Sequence, residues 1–358
     1  MKILILEQDY LGFISAYCHA HAQLRELTAE EQVAEVISNQ AYLGDSYQVA
    51  LTACGHEVHT LFPSCTALQQ AWADEHGHAD LFASYGTNSL LIEQVRHIHP
   101  DVLYIHSGVF VDEELMSALK PLTGIIVSQW SCRLLENVPY HLFDLIISSA
   151  RNFVEEFRSR GIAAEHVQHG FDERQKLAHP ILSRDVLFTG TLLPDHHAGR
   201  IADLEYIAAA VPLEFYGYGA ELLPETFAIR KAHRGIAWGA DMLALLASAR
   251  ISLHLPGDAV LEDAGSKRLF EVTGMGSLLL TRAQPGLSEL FEEGVEMVTF
   301  SSAADCVEKI HCYLAHEDER RAIAARGQQR TLRDHTVTRR IALLTEHLQN
   351  ALKKSASG

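Results

Sequence analysis

Residues 265–281 read GSKRLFEVTGMGSLLLT. Two small residues, Gly265 and Ser266, precede a basic pair, Lys267 and Arg268. An apolar stretch with helical spacing follows, and Glu271 is its one acid. Gly274 and Gly276 break that pattern ahead of SLLLT (277–281), a leucine-rich run of strand length. A turn, a short helix and a buried strand, in that order, build a parallel sheet covered by helices. In such sheets ligands bind beyond the carboxyl ends of the strands, where loops feed helix N-termini. The unpaired N–H groups of a helix start attract phosphate, and Lys267 and Arg268 add two cations. Glu271 lies one turn after Lys267, on roughly the same face. Its carboxylate repels a diphosphate but accepts hydrogen bonds from the vicinal hydroxyls of a ribose. The stretch therefore has the polarity of a nucleoside diphosphate, with sugar hydroxyls at one end and phosphates at the other.

The alternation of strand and helix extends in both directions. RDVLFTGT (184–191) reads as a strand ending in a glycine turn, and GRIADLEYIAAA (199–210) as a helix. LEFYGYG (213–219) is a strand and loop, DMLALLASA (241–249) a helix, and RISLHLPG (250–257) a strand. EMVTF (296–300) is a last strand, and two helical stretches finish the chain. In the first half the strands are KILILE (2–7), HEVHTLF (56–62), DVLYIHSG (101–108), GIIVSQW (124–130) and FDLIISSA (143–150). Helical patterns separate them, over roughly 13–27, 46–55 and 111–122. Strands that are apolar without interruption are covered on both faces. The fold class expected is α/β, with two Rossmann-like doubly wound domains facing a cleft. The polar, proline-bearing stretch DERQKLAHPILS (172–183) marks the join. We place an N-terminal domain over 1–175 and a C-terminal domain over 176–335. Residues 336–358 form a helix that can cross back to the first domain.

Composition narrows the partners. The chain has 358 residues, 47% of them hydrophobic, and a formal net charge of −17 with histidines neutral. That field repels nucleic acid and anionic lipid, so a phosphate-bearing small ligand needs a local basic cluster such as Lys267–Arg268. No apolar run approaches the ~20 residues of a membrane span, so no integral membrane segment is expected. MKILILEQDY reads as a first strand and not as a signal peptide, because acids follow its short apolar run at once. Six cysteines lack CxxC spacing, which fits a reducing cytoplasm. The histidine pairs His19/His21, His76/His78, His97/His99 and His196/His197 have no third ligand spaced in sequence, so no metal is expected.

Several of these residues carry a family resemblance. They are the Arg268–Leu269–Phe270–Glu271 motif, the turn Gly274–Met275–Gly276, the run from Glu289 to Glu296, and the close at His335, Thr336 and Arg339. Upstream, FTGT…R from Phe188 to Arg200 and FYGYG (215–219) complete the pattern. Together they resemble the C-terminal half of CgeB-like, group 1 glycosyltransferases of the GT-B fold. The likeness is specific over about 186–340. Over 1–180 it rests on GHEV (55–58), HPDVLYIHSG (99–108) and general topology.

The resemblance implies an activity and a set of roles. The activity is transfer of a sugar from a nucleoside diphosphate donor to an unidentified acceptor, with retention; no DxD-type metal motif is evident among these signals and the cations can replace a divalent ion, so transfer without a metal is expected. No cofactor is implied beyond that donor. Glu271 would hold the ribose, with Arg200, Lys267 and Arg268 near the diphosphate and the turn of Gly217 and Tyr218 beside the base. Gly265, Ser266, Gly190 and Thr191 belong to the same donor site. The usual first acid of a Glu-x7-Glu pair is shortened to Asp263, and Thr191 stands where an arginine is usual. His106, after the strand DVLYI, holds the place of a histidine facing the donor sugar; a core or capping histidine is its alternative. The acceptor would meet Asp9, Tyr10, Gly12 and Phe13 after the first strand, Asp45 at a helix start, and Trp130 at a strand end. Asp45 equally suits an N-cap, and Trp130 equally suits packing.

Other functions compete. A dehydrogenase needs GxGxxG after an early strand, and ILEQDYLGF offers a single glycine. A nucleotide-sugar epimerase of the same fold shares the donor site and lacks only an acceptor. A non-catalytic nucleotide-sugar-binding protein would tolerate the changes at Asp263 and Thr191, but has no use for a retained basic pair and ribose acid.

Overall fold

The computed structural model describes residues 1–8, 12–38, 45–106, 111–132, 134–177, 181–257 and 263–357. The chain forms two compact units, Met1–Val167 with Ile341–Gly358, and Gln168–Arg340. Its joins thus fall at 167/168 and 340/341, where the sequence suggested 175/176 and 335/336.

The first unit opens with β1 (Lys2–Leu6), α1 (Phe13–Ala20), α2 (Ala29–Ser38), α3 (Asp45–Ala53) and β2 (Glu57–Leu61). It continues with α4 (Thr66–Glu75), α5 (Ala79–Ile98), β3 (Val102–Ile105), α6 (Glu113–Leu119) and β4 (Ile125–Gln129). β5 (Leu145–Ser148), α7 (Arg151–Ser159) and β6 (Ala164–His166) complete it. Its six strands are all parallel, in the order β2-β1-β3-β4-β5-β6. β1 leads to β2 on one side, while β3 leads to β4 on the other, so the winding reverses between β1 and β3. The helix expected over 13–27 is two pieces. His21, at φ −116° and ψ 67°, ends α1, and a 3-10 turn follows at Ala22–Glu26.

The second unit runs β7 (Arg184–Thr189), α8 (Ala198–Ala210), β8 (Leu213–Tyr216), α9 (Ala228–Lys231), β9 (His233–Gly235) and α10 (Gly239–Ser248). Next come β10 (Ala249–His254), α11 (Lys267–Gly274), β11 (Leu278–Arg282), α12 (Leu287–Leu290) and β12 (Val298–Phe300). α13 (Ala303–Ala315), α14 (Glu317–Asp334) and α15 (Val337–Ser355) end the chain, three helices where two stretches were expected. The strand order is β12-β11-β10-β7-β8-β9, again all parallel, and the reversal lies between β7 and β10.

Alternate residues of these strands fill two cores. Val186 and Phe188 of β7 pack with Leu278 and Leu280 of β11 on one face. Leu187 and Leu279 pack against α10 and α11 on the other. Burial of both faces explains why the strands read as unbroken apolar runs. Phe171 is wedged against Gly274, where an added Cβ would lie 2.5 Å from its ring. The Phe171 N–H donates to His335 O and the Val337 N–H to Phe171 O, so the HT pair at 335–336 closes the second unit on itself. Past Arg340, α15 belongs to the first unit, where His56 Nε2 and Thr345 Oγ1 are 3.3 Å apart. Among the described residues no helix is long and apolar enough to cross a membrane.

Candidate functional site

The loops that follow β7, β8, β10 and β11 gather most of the residues singled out above at the switch point of the second sheet. After β7, Gly190 and Leu192 are tied to the loop after β8. The Gly190 N–H donates to Tyr216 O at 3.1 Å, and the Leu192 N–H donates to Tyr218 O at 2.8 Å. Two glycines permit that approach. An added Cβ at Gly217 (φ 150°) would fall 1.7 Å from Gly190 O, and at Gly219 (φ 89°) 2.0 Å from Leu192 O. Tyr218 Oη accepts a 2.8 Å bond from Trp238 Nε1. The FYGYG motif thus fixes the height of the β7 loop.

Arg200, in the first turn of α8, stands against the preference of a helix start for anions. Its Nη1 donates to Thr191 O at 3.0 Å, and a Cβ added at Gly257 would lie 3.4 Å from its Nη2. The guanidinium therefore spans from the loop after β7 to the loop after β10, across the reversal of the sheet. Thr191, which replaces an expected arginine, holds this one through its carbonyl. The end of β10 also carries a histidine that sequence reading passed over. His254 is buried, and its Nδ1 lies 2.9 Å from Thr281 Oγ1 on β11. Burial pushes its pKa down to about 3, and the charges of Arg200 and Arg268 add to that shift. A neutral imidazole beneath two guanidinium groups marks a positive site built at fixed positions.

α11 supplies the other half. Ser266 is its N-cap, accepting from the Arg268 N–H at 3.3 Å. Arg268 Nη1 lies 2.7 Å from Glu271 Oε2 and 2.9 Å from Met242 Sδ. Lys267 Nζ is 4.0 Å from Glu271 Oε1, an ion pair without a hydrogen bond. Glu271 is only 3% exposed, and its Oε1 is buried with no hydrogen-bond partner among the described residues. Thr189 Oγ1, at the end of β7, is in the same condition. Buried polar atoms are ordinarily bonded, so an acceptor left open beside two cations is a place for a ligand donor.

The turn before α11 is braced from several sides. Asp263 is buried, and its Oδ1 accepts from the Ala264 N–H at 2.9 Å. A Cβ on Gly286 would come within 2.9 Å of the same oxygen. Gln168 Nε2 donates to Ala264 O at 2.8 Å, and the Gly265 N–H donates to Asp263 O at 2.9 Å. Asp263 is thereby placed in the floor of this turn, where it shapes the entry to Ser266 and Lys267.

In the first unit, His106 follows β3 and its Nδ1 is hydrogen-bonded to Glu7 Oε1, which follows β1. Glu7 was missed. The signal available was an acid directly after an apolar strand, in KILILE. Tyr47 and Tyr104 face the His106 ring edge-on at 4.8 and 5.4 Å. Gly12 caps α1 with φ 75°, and Phe13 begins that helix and packs in its core. Trp130 is 2% exposed, donates from Nε1 to Cys132 O at 2.9 Å and meets Tyr140 edge-on, so its surface is spent on packing. Asp9 and Tyr10 lie outside the described residues, as does the side chain of Asp45.

Comparison with known proteins agrees with the second unit's architecture. Residues 200–346 match the family model described as glycosyl transferase-like. No curated protein matches the chain. Among solved structures, Anabaena Alr3699/HepE in complex with UDP and glucose is similar, at TM-score 0.62 and 13% identity over 98% of this chain and 100% of that one. A glycosyltransferase from Rickettsia africae ESF-5 gives TM-score 0.61 at 11% identity, covering 98% of each chain. AviGT4, a glycosyltransferase involved in avilamycin A biosynthesis, gives TM-score 0.58 at 18% identity over 88% of this chain and 90% of that one. At such identities the likeness establishes the fold, two Rossmann-like α/β domains of the GT-B type, while the family match names the chemistry of residues 200–346. On that fold and that match together, the chain is a glycosyltransferase.

Proposed function

We propose that this glycosyltransferase, of CgeB-like group 1 type, takes a sugar from a nucleoside diphosphate donor held by the second unit and passes it to an acceptor held by the first. The observation that carries the reading is the open, buried Oε1 of Glu271 beside Arg268, at the switch point that Arg200 spans. The ribose hydroxyls donate to Glu271. The diphosphate lies toward Arg200, Lys267, Arg268 and the first N–H groups of α11. As the bond from the anomeric carbon to the diphosphate breaks, negative charge grows on phosphate oxygens, and cations already fixed in place stabilise it without rearrangement. Those cations take the part a divalent ion plays elsewhere, so transfer proceeds without one. Retention of configuration enters from the family resemblance. The HepE structures with UDP and UDP-glucose make uridine donors the first to try.

Thermal-shift screening against UDP-, GDP- and dTDP-sugars tests the proposal. A donor should raise the melting temperature of wild type, with or without EDTA, and fail to do so for Glu271→Ala. No stabilisation by any donor sinks the reading. Inversion at C2 or C4 of the donor sugar without transfer would mark an epimerase instead.

A further inference from the structure

We propose that Cys18 and Cys65 form a redox-modification site: a hydroperoxide oxidises Cys18, Cys65 attacks the product, and the resulting disulfide clamps α1 to the start of α4. The inference concerns the first unit alone and does not depend on the donor reading.

Contact is the first argument. All six cysteines are thiols in this structure, and two of them touch. Cys65 Sγ and Cys18 Sγ lie 4.0 Å apart, across 47 residues of sequence. A disulfide needs about 2.0 Å, so each sulfur has to travel about 1 Å. Both side chains belong to one apolar cluster with Ile14, Leu24, Phe62 and Leu68, which packs α1 on α4. The backbone of Cys65 is fixed as well. Its N–H donates to Phe62 O and its carbonyl accepts from the Gln69 N–H, each at 3.0 Å. Neither thiol has to be carried to the other by a moving loop.

Access is the second. Cys18 is 7% exposed and lines a cavity of about 400 Å³ between α1, α2 and α4. Cys65 is fully buried and is not part of that wall. His19, Arg25 and Asp74 are the other titratable groups on the wall. A hydroperoxide is small and uncharged, so it can reach Cys18 without being held off by any of them. Cys65 is the N-cap of α4, a helix of ten residues, and its side chain makes no capping bond there. The partial positive charge of a helix start favours a thiolate, the form that attacks. Packing alone accounts for two buried cysteines, which behave as small apolar residues. It does not account for a cavity opening on one sulfur while the other sits at a helix start.

The chemistry balances with the hydroperoxide as the one co-reactant. Cys18 sulfur attacks a peroxide oxygen, the O–O bond breaks, and water leaves with the thiol proton, giving a sulfenic acid. Cys65 sulfur then attacks Cys18 sulfur. The S–S bond forms, the S–O bond breaks, and hydroxide leaves with the Cys65 proton as a second water. Two thiols have lost two electrons, and hydrogen peroxide has gained them.

The test uses the full chain carrying Cys54→Ser, Cys132→Ser and Cys312→Ser, which removes the exposed thiols and leaves the buried ones. After hydrogen peroxide and alkylation, it is digested without reduction by trypsin and Glu-C, which cut at Arg25 and Glu57 and so part the cysteine peptides. Mass spectrometry should find the Cys18 peptide joined to the Cys65 peptide, lighter by two hydrogens, and separated again by dithiothreitol. The melting midpoint should rise by about 5 °C or more on oxidation and return on reduction. Cys65→Ser in the same background should leave Cys18 as a sulfenic acid that dimedone labels, and Cys65→Ala gives the same readout should serine disturb the apolar cluster. Cys18 that stays unmodified, or that ends as a sulfinic acid with Cys65 present, overturns the site. A linked peptide with an unmoved melting midpoint overturns the clamp.

Discussion

Arg268 Nη1 and Glu271 Oε2 lie 2.7 Å apart on α11, three residues along one face, while Glu271 Oε1 is buried with no hydrogen-bond partner among the described residues. The pair is therefore half-made. Arg268 neutralises the acid, and the remaining lone pairs can accept hydroxyl donors without drawing a phosphate toward them. Replacing Glu271 with Gln keeps its volume but turns one acceptor into a donor. Hydrogen bonds to a charged group contribute about 1.5–3 kcal/mol, so donor affinity should fall roughly 10- to 100-fold. Isothermal titration with UDP and UDP-glucose checks this; equal loss for inorganic pyrophosphate, which has no ribose, would count against the assignment.

His254 supplies a pH prediction with a definite sign. Its pKa falls from 6.5 to about 3 on folding, so the unfolded chain takes up the proton first. The stability this histidine contributes is present in full above pH 6.5 and is lost as pH falls from 6.5 toward 3. The slope is about 1.4 kcal/mol per pH unit at its steepest. Urea unfolding at pH 7 and pH 5 should show a larger loss for wild type than for His254→Asn. A bound diphosphate, by offsetting the charges of Arg200 and Arg268, should lessen the loss.

The elements of the second unit were legible because their signals are local. The helix read over 199–210 is Ala198–Ala210, the strand read over 277–281 is Leu278–Arg282, and Ser266 caps the helix that begins at Lys267. Capping, periodicity and glycine turns all act within a few residues. The pairings Glu7–His106 and His254–Thr281 span 99 and 27 residues, and they exist because particular strands are neighbours. Strand order leaves no mark in periodicity, so neither pairing was visible. The split at His21 depends on one residue's dihedral angles, and propensity alone does not dictate it.

Gly217 and Gly219 should be among the least replaceable residues of the second unit. Alanine at either faces a backbone oxygen at 1.7 or 2.0 Å, and both positions have positive φ. Backbone cannot swing aside as a long side chain can, so each substitution should cost about 3 kcal/mol or more. Gly12→Ala is the control. Its φ is +75° but nothing lies within 4 Å of the new Cβ, so only the dihedral cost of roughly 1–2 kcal/mol applies. Denaturant midpoints of the three variants should separate accordingly.

Arg320 shows what a purely structural charge does here. It is 2% exposed, bonds Glu317 through Nε and Nη2 at 3.0 and 2.8 Å, and donates from Nη1 to Arg250 O at 2.9 Å. Arg320, with Arg250 and Arg321, holds the Glu317 carboxyl well below the usual range. Arg320→Ala leaves Glu317 its other two partners but removes a buried side chain and leaves Arg250 O without its bond, so it should cost about 2–3 kcal/mol. Arg321→Ala, at a side chain 65% exposed, should stay within about 0.5 kcal/mol. Arg250 sits near the start of β10 and His254 at its end, so the whole strand separates this network from the proposed donor site. UDP-glucose affinity of the folded Arg320→Ala protein should therefore match wild type when titrated below its melting temperature. A weakened affinity there would mean that the charge network at the far end of β10 is coupled to the proposed donor site through the strand.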